Sequence, residues 1–220
     1  MICLICESKT KTYKHPKFHI TFHECLHCEA IFKDKKHFIT KEEEKDIYDL
    51  HQNTLDNEGY VNYLDDFIQK AVVPFKETYQ SSALDFGSGP GPVLAHLLKE
   101  KYHAKVNIYD PFYAPNDTYV HQTYDLITTT EVFEHLKDPI QTLNALKALL
   151  KPDGIISIMT LFHPKDQIKF FDWFYIRDES HIVFFTPKTF QVMANLCHLK
   201  LIYCNHHRMI TLKKDIENGR

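Results

Sequence analysis

The chain of 220 residues lacks any uncharged apolar run that approaches the roughly 18–20 residues of a membrane-spanning helix. Its first residues include cysteines where a secretion signal needs a charged and then an apolar stretch, so we expect neither a membrane span nor a secretion signal. Internal repeats and low-complexity segments are also missing. With 44% apolar and 25% charged residues, the composition predicts a soluble globular protein of one or two domains.

The sequence has no large surplus of charge of either sign. Its net charge of −3 gives no overall attraction to nucleic acid. Residues 1–37 hold seven lysines against four acidic residues, hence +3, which leaves −6 for the rest of the chain. A surplus of this size is weak evidence for a polyanionic partner, and an ordinary solvated surface explains it better. Nucleic acid is therefore a possible partner that the composition does not favour.

A disulfide framework is not expected, because such frameworks are typical of small secreted proteins and not of a chain of this length. Cys197 and Cys204 lie where ordinary buried thiols are common, near the end of a predicted helix and in a predicted strand. The cysteine usage therefore predicts a reducing, cytoplasmic location.

The other four cysteines form two Cys-x-x-Cys pairs, Cys3/Cys6 and Cys25/Cys28. Four thiolates at this spacing can surround one tetrahedral zinc ion, and the 18 residues between the pairs can form a hairpin, strand-like over 13–22. So short a ribbon buries little apolar surface, so zinc would supply much of its folding free energy. A redox-active pair is the less favoured alternative. Nearby histidines could replace a thiolate, but we assign them to the surface or to hydrogen bonds: His15, His19, His23 and His27.

Three parts of the chain differ in pattern. Residues 1–37 carry the metal-binding signal, and 38–79 contain two helical patterns, 41–53 and 59–73, that could cap a cleft. In 80–220 we predict strands at 83–86, 106–109, 124–129, 155–161, 199–204 and 209–213, with helices at 93–102, 139–150 and 187–196. This alternation predicts an α/β fold with a mostly parallel sheet and helices on both faces. The last two strands predict an antiparallel hairpin at one edge.

A glycine-rich turn follows the first of these strands and opens a helix. Gly87, Gly89 and Gly91 let the backbone turn sharply, and a ligand can then lie against main-chain N–H groups. A dinucleotide-binding fingerprint needs glycine or alanine where this chain has Pro92, so a pyrophosphate ligand is less favoured. Asp85, two residues before the turn, suits a ligand with a cationic portion better.

The segment from Asp85 to Gly91 resembles the first motif of the class I S-adenosylmethionine-dependent methyltransferases. Further matches follow in the right order over residues 80–213: Asp110, the segments 124–127 and 131–136 with Asp138 and Pro139, and 150–154. The resemblance implies a Rossmann-like, mostly parallel sheet of seven strands in a methyltransferase domain at 80–220. The N-terminal cysteine pairs and an aromatic segment at 170–187 also resemble a bacterial subset of these enzymes.

The resemblance implies a role for each matching residue. Asp110 would accept hydrogen bonds from the ribose hydroxyls of the cofactor, and Glu131 would border the cleft. The acidic residue that often meets the adenine amine is not identifiable, and after Pro111 either Phe112 or Tyr113 would instead form an apolar wall for the purine. The methionine end of the cofactor would be held by Asp85, Gly87, Ser88, Gly89 and Gly91. Only 14 residues separate Asp110 from Asp125, so the usual intervening helix is missing, and 118–121 is predicted as a shortened edge strand.

The aromatic segment lies where this fold generally builds its acceptor pocket. Trp173, Tyr175 and Asp178 are candidates for acceptor contacts. A hydroxyl or acidic carbon acceptor would also need a base, for which histidine has a suitable pKa. His181 is the first candidate, with Asp178 as its orienting partner. His135 is a weaker candidate for the base, and His163 is a weaker candidate for lining the pocket.

The function predicted from the sequence is methyl transfer from S-adenosylmethionine to a small-molecule acceptor, with a structural zinc ion in the ribbon. One alternative is modification of RNA or protein that docks on the ribbon. Another is a non-catalytic module that only binds S-adenosylmethionine. The sequence leaves the acceptor, its reactive atom and the oligomeric state open.

Overall fold

The computed structural model describes residues 1–50 and 53–215. Within these residues the strands are β1 Thr10–Lys14, β2 Thr21–Cys25, β3 Ile31–Lys33, β4 Ser82–Phe86, β5 Lys105–Tyr109, β6 Tyr124–Thr130, β7 Leu150–Met159, β8 Val183–Phe184, β9 Leu199–Cys204 and β10 Met209–Lys214. The α-helices are α1 Lys41–Asp49, α2 Glu58–Ala71, α3 Val93–Glu100, α4 Pro139–Ala148, α5 Gln167–Asp172 and α6 Pro187–Leu196.

The larger sheet has the strand order β5-β4-β6-β7-β10-β9. β5, β4, β6 and β7 run parallel, and β10 pairs antiparallel with both β7 and β9. The predicted α/β architecture and its antiparallel closing hairpin are therefore confirmed. Because the carboxyl ends of parallel strands meet at one edge, the loops after β4, β5 and β6 face a common space.

The expected seventh strand does not form: the larger sheet has six strands within the described residues. The predicted edge strand is the 3₁₀ helix Thr118–His121. The ring of Tyr119 packs 4.4 Å from that of Tyr109, centroid to centroid, and the Tyr124 hydroxyl donates to the Tyr119 carbonyl. The short connection thus folds over β5 and cannot extend beside it.

Helices cover both faces of this sheet, because neighbouring strand residues point to opposite sides. Ala83, Leu126 and Ile155 pack with α2 and α3. On the other face, residues one position along in the same strands, among them Leu84 and Ile127, pack with α4 and α6. Two hydroxyl groups of the sheet anchor the C-terminal end of α2. Ser157 of β7 and Thr211 of β10 both donate to the Ala71 carbonyl, at 2.8 and 2.6 Å.

The N-terminal ribbon is part of a second sheet with the order β1-β2-β3-β8. A hairpin forms as predicted, since β1 pairs antiparallel with β2, with Tyr13 opposite Phe22. The strand expected over 13–22 is wrong, because residues 15–20 form the turn between the two strands. β3 then pairs antiparallel with β8, which belongs to the predicted aromatic segment. Phe22 and Ile31 of the ribbon share a buried cluster with Phe170, Tyr175 and other residues of that segment. The ribbon and the predicted acceptor region therefore form one packed unit.

α1 begins at a capping box, in which Thr40 Oγ1 accepts from Glu43 N–H and Glu43 Oε2 accepts from Thr40 N–H. It ends at Asp49, earlier than the predicted 53, and residues 51 and 52 of that prediction lie outside the described residues. Among the helices that the structure describes, none is long and apolar enough to cross a membrane.

Candidate active site

A cleft of about 900 Å³ lies at the carboxyl ends of β4, β5 and β6, with α1 across it. It brings together nearly all the residues that the sequence singles out for cofactor and acceptor. Those lining it are Asp85, Gly87, Ser88, Gly89, Gly91, Asp110, Pro111, Phe112, Glu131, His135, Tyr175, Asp178 and His181. The arrangement places the glycine turn and the aromatic segment against one continuous space.

The glycine turn is held against the end of β5. The N–H groups of Gly87 and Ser88 both donate to the Tyr109 carbonyl, at 2.7 and 3.1 Å. Gly87 has a φ of +83°, and a Cβ there would come within 2.2 Å of a Val132 methyl group. Only glycine fits both the left-handed backbone and this close approach.

Asp110 organises the loops on both sides of its carboxylate. Its Oδ2 accepts from the Gly89 N–H at 2.9 Å, and its Oδ1 accepts from the N–H groups of Phe112 and Tyr113 at 2.9 and 3.1 Å. A carboxylate offers about four acceptor positions, so three bonds leave room for a further donor. Asp110 therefore fixes the turn and keeps one acceptor position for a ligand in the cleft.

Asp85 is buried directly below the glycine turn, with 1% of its surface exposed. Burial raises its pKa to about 7, although Thr128 and the Ala95 N–H donate to it and oppose the shift. The nearby negative charge of Asp110 adds to the rise. A cationic group placed beside this carboxyl would favour its ionised form.

α1 closes one side of the cleft. The Tyr48 ring lies 5.8 Å from that of Phe112 and 5.3 Å from that of His135, in edge-to-face arrangements. The Tyr113 hydroxyl donates to Asp49 at 2.5 Å. These contacts join α1 to residues on both sides of the cleft.

Two carboxylates meet at the end opposite the glycine turn. The Tyr175 hydroxyl contacts Glu131 Oε2 at 2.8 Å and Glu134 Oε1 at 2.5 Å, and Tyr63 donates to Glu131 Oε1 at 2.7 Å. Burial and the charge of Glu131 raise the pKa of Glu134 well above its ordinary value. Burial and the same carboxylates raise the pKa of Tyr175, which stays a hydrogen-bond donor.

Two histidines stand beside these carboxylates, with ring centroids 4.8 Å apart. His135 Nδ1 contacts the Ser180 carbonyl at 3.2 Å, and His181 Nδ1 contacts the Tyr175 carbonyl at 2.9 Å. His181 Nε2 lies 3.6 Å from Asp178 Oδ2. Burial lowers the pKa of His181 although the Asp178 charge opposes it, so a neutral imidazole is favoured near neutral pH.

Trp173 and His163 lie elsewhere, on a second cavity of about 650 Å³. The Trp173 ring packs 4.9 Å from that of Tyr175, so it supports the cleft wall from behind. Both ring nitrogens of His163 contact backbone carbonyls, those of Pro164 and Glu29. These contacts connect the ribbon to the segment after β7.

Three residues of the cleft end were not identified from the sequence. Glu134, Tyr63 and the exposed Phe174 reach this region from separate elements. For Glu134 a signal existed, because it stands three positions after Glu131 and directly before His135. Tyr63 carries no such signal, since only the packing of α2 brings it to Glu131.

The four cysteines of the two pairs come together. Their Sγ atoms all lie within 4.8 Å of one another, with Cys3–Cys28 and Cys6–Cys25 at 3.5 Å. The two knuckles have the same backbone geometry, because Glu7 and Glu29, each directly after a pair, have φ values of 57° and 65°. Their N–H groups donate to the carbonyls of Cys3 and Cys25. With zinc–sulfur bonds of about 2.3 Å, a tetrahedral site has sulfurs about 3.8 Å apart, which fits this cluster.

Comparisons with known proteins point to one enzyme class. Two ubiquinone biosynthesis O-methyltransferases are similar over a short segment. That of Actinobacillus pleuropneumoniae is 40% identical over 50 residues, 22% of this chain and 21% of the relative. That of Haemophilus ducreyi is 40% identical over 40 residues, 18% of this chain and 17% of the relative. The chain thus matches about a fifth of the length of these relatives.

Solved methyltransferase structures share the fold at low identity. The mitomycin 7-O-methyltransferase MmcR has a TM-score of 0.52 and 12% identity, over 71% of this chain and 55% of that one. CalO1, a methyltransferase in calicheamicin biosynthesis in its SAH-bound form, has a TM-score of 0.54 and 10% identity, over 79% and 58%. A family model described as a methyltransferase domain matches residues 56–202, more than half of the chain. The chain therefore belongs to the methyltransferase-domain family.

Proposed function

We propose that the protein transfers a methyl group from S-adenosylmethionine to a small organic acceptor. The observation that carries the proposal is one cleft of about 900 Å³ with the glycine turn and Asp110 at one end and Tyr175 with His181 at the other. Cofactor and acceptor bound at these two ends would meet inside the same space. The methyltransferase-domain match supports the reaction class.

Features of the glycine-turn end fit the cofactor. Ser88 Oγ is buried without a partner among the described residues, and Asp110 keeps an acceptor position for a ribose hydroxyl. Phe112 and Pro111 flank the position of the purine. The methionine end, with its cationic sulfonium and ammonium groups, would lie beside Asp85 and the turn formed by Gly87, Ser88, Gly89 and Gly91. CalO1, which shares the fold, is known in an SAH-bound form.

Methyl transfer from a sulfonium is an in-line displacement, so the protein must align nucleophile, carbon and sulfur. The bond from the acceptor atom to the methyl carbon forms while the carbon–sulfur bond breaks, and its electron pair stays on sulfur as a neutral thioether. An acceptor hydroxyl must also lose its proton. His181, held at Nδ1 by the Tyr175 carbonyl and with Asp178 beside its Nε2, and His135 are the groups at the acceptor end that can assist this loss. Glu131 borders both ends, and Tyr175, backed by Trp173, contacts the acceptor.

The cysteine cluster has an architectural role in this proposal. Cys3, Cys6, Cys25 and Cys28 hold one zinc ion in the module 1–37. The part 38–79 caps the cleft, and 80–220 is the catalytic domain. The shared sheet of β3 and β8 supports this role, since the ribbon packs on the acceptor segment. The acceptor segment is aromatic and the chain is net acidic, which supports a small molecule over RNA.

The test is transfer of labelled methyl groups from S-adenosylmethionine to three panels: small hydroxyl- and amine-bearing molecules, RNA, and protein. We expect label in a low-molecular-weight product, and loss of transfer in an Asp110→Ala variant. Label found only in RNA or protein would contradict the proposed acceptor class. Binding of S-adenosylmethionine without transfer to any panel would contradict an enzymatic function.

A further inference from the structure

Glu134, His135 and His181 bring potential metal-ligand atoms within 4.8 Å of one another. Glu134 and His135 lie in the 3₁₀ helix Phe133–His135 after β6, and His181 lies just before β8. The cluster is therefore assembled from two segments distant in sequence. It is separate from the cysteine cluster of the ribbon.

The hydrogen bonds of the two histidines fix which nitrogen carries the lone pair. His135 Nδ1 and His181 Nδ1 each face a backbone carbonyl, at 3.2 and 2.9 Å. A carbonyl only accepts, so each Nδ1 is the protonated nitrogen of a neutral ring and each Nε2 carries the lone pair. Asp178 Oδ2, 3.6 Å from His181 Nε2, lies beyond hydrogen-bonding distance and leaves that lone pair in place. Metal-binding histidines are held in this way, with the second ring nitrogen donating to a carbonyl or carboxylate.

Glu134 supplies the observation that points to a ligand. Its side chain is fully buried, and Oε2 has no partner among the described residues, while Oε1 accepts from Tyr175. Glu131 shares the same Tyr175 hydroxyl, so a second carboxylate lies beside the first. Buried carboxylates without a compensating charge are costly, and a cation at the unpartnered oxygen would remove that cost.

We propose that Glu134, His135 and His181 hold a divalent metal ion at the acceptor end of the cleft. Two imidazoles and a carboxylate suit first-row ions such as Mn²⁺, Fe²⁺, Co²⁺ and Zn²⁺. Three protein ligands leave coordination positions open toward the cleft, where an acceptor oxygen can bind. This inference rests on the proposed function and narrows it to acceptors that offer an oxygen ligand. The histidines then assist loss of the acceptor proton through the metal, which lowers the pKa of a bound hydroxyl.

The test starts from the 220-residue chain loaded with a single equivalent of zinc, which elemental analysis confirms, and titrates it with Mn²⁺ followed by electron paramagnetic resonance. We expect one Mn²⁺ per chain beyond that zinc. Glu134→Gln and His135→Asn should each weaken Mn²⁺ binding at least about tenfold. The matched control is His163→Asn, a buried histidine on the second cavity, which should bind Mn²⁺ like the unchanged protein.

Titration of each protein with S-adenosylhomocysteine separates the possible outcomes. If all variants keep this affinity, they are folded and their Mn²⁺ data can be compared. No Mn²⁺ binding by a protein that binds S-adenosylhomocysteine overturns the metal site and leaves the proposed function standing. Equal Mn²⁺ affinity in both cluster variants and the control also overturns it. Should Glu134→Gln not fold, His135→Asn decides alone, because that side chain is only partly buried. Absence of S-adenosylhomocysteine binding would instead contradict the proposed function.

Discussion

At the residue scale, the burial of Asp85 determines its protonation state and therefore the charge that it presents to a ligand. The carboxyl lies under the glycine turn with 1% of its surface exposed, and burial raises its pKa to about 7. A folded-state pKa above the unfolded value of about 3.9 means that the fold binds the proton more tightly. The unliganded protein therefore loses stability as pH rises from about 4 to about 7, and a cationic ligand should reverse this preference.

We predict that S-adenosylmethionine binding near pH 7 releases a proton from Asp85, because the sulfonium and ammonium groups favour the ionised carboxylate. Calorimetry in buffers of different ionisation enthalpy measures that release. Asp85→Asn should abolish it and weaken binding by about 1–3 kcal/mol. Asp117→Asn, at an exposed site outside the cleft, is the control. The same proton release in Asp85→Asn would show that another group titrates.

The sequence singled out more of the residues that line the glycine-turn end of the cleft than of those that line the opposite end. Asp85, the glycines and Asp110 lie in the cleft because the turn and two neighbouring strand ends fix them locally. The network of Glu131, Glu134 and Tyr175 depends on a loop returning from far along the chain. The periodicity of a single sequence does not predict which distant segments of the chain come into contact.

At the element scale, the pairing of β3 with β8 could not be predicted from any local sequence pattern. Each strand is only two or three residues long. Lys33 at the end of β3 is buried, and its ammonium donates to the carbonyls of Asp178 and Glu179, both at 3.0 Å. Burial lowers the pKa of Lys33 to about 8. The ribbon thus holds the loop that carries Asp178 and leads to His181.

We predict that Lys33→Met loosens the acceptor loop and leaves the cofactor end intact, because the carbonyls of Asp178 and Glu179 lose the buried ammonium that donates to both. Hydrogen exchange should become faster in residues 174–182, and the free energy of unfolding should fall by about 1–3 kcal/mol. The affinity for S-adenosylhomocysteine should not change. Lys35→Met, on the exposed side of the same ribbon, is the control. Unchanged exchange in the loop would rule out this coupling.

The strands of the larger sheet and the helices that cover it could be predicted because their apolar residues recur with a clear period. One exception was 118–121, where the aromatic contacts of Tyr119 with Tyr109 and Phe86 favour a 3₁₀ turn. A strand there parallel to β5 would need a crossover connection of about a dozen residues or more, and only 111–117 lie between Asp110 and this segment. Another exception was the strand predicted at 155–161, since β7 begins at Leu150 and ends at Met159.

At the scale of the whole molecule, the cysteine cluster and the catalytic domain share one core. Cys3, Cys25 and Cys28 belong to the same buried cluster as residues of β4, β6 and α6. Thr189 of α6 donates to the Cys28 carbonyl at 2.9 Å. Loss of the zinc ion proposed for this cluster should therefore destabilise the entire fold.

We predict that Cys6→Ser, or removal of zinc with a chelator, lowers the melting temperature of the whole protein by about 10 °C or more, in a single transition. The reason is that metal binding supplies folding free energy to a ribbon that shares the main core. Differential scanning calorimetry measures it. Cys204→Ser, outside the cluster, should melt like the unchanged protein. An early, separate transition of the ribbon alone would show that the two parts fold independently.

Calorimetric titration with S-adenosylhomocysteine, applied to the unchanged protein and to Asp110→Ala, tests most directly whether the cleft is a methyl-donor site. We expect one molecule bound per chain, with affinity weakened by about 1–3 kcal/mol in the variant because hydrogen bonds to a carboxylate are lost. The control is Asp125→Asn. Asp125 lies at the start of β6, whereas the cleft lies at the carboxyl end of that strand, so this variant should keep its full affinity for S-adenosylhomocysteine. Failure of the unchanged protein to bind S-adenosylhomocysteine, together with binding of a nicotinamide or flavin dinucleotide, would contradict the assignment.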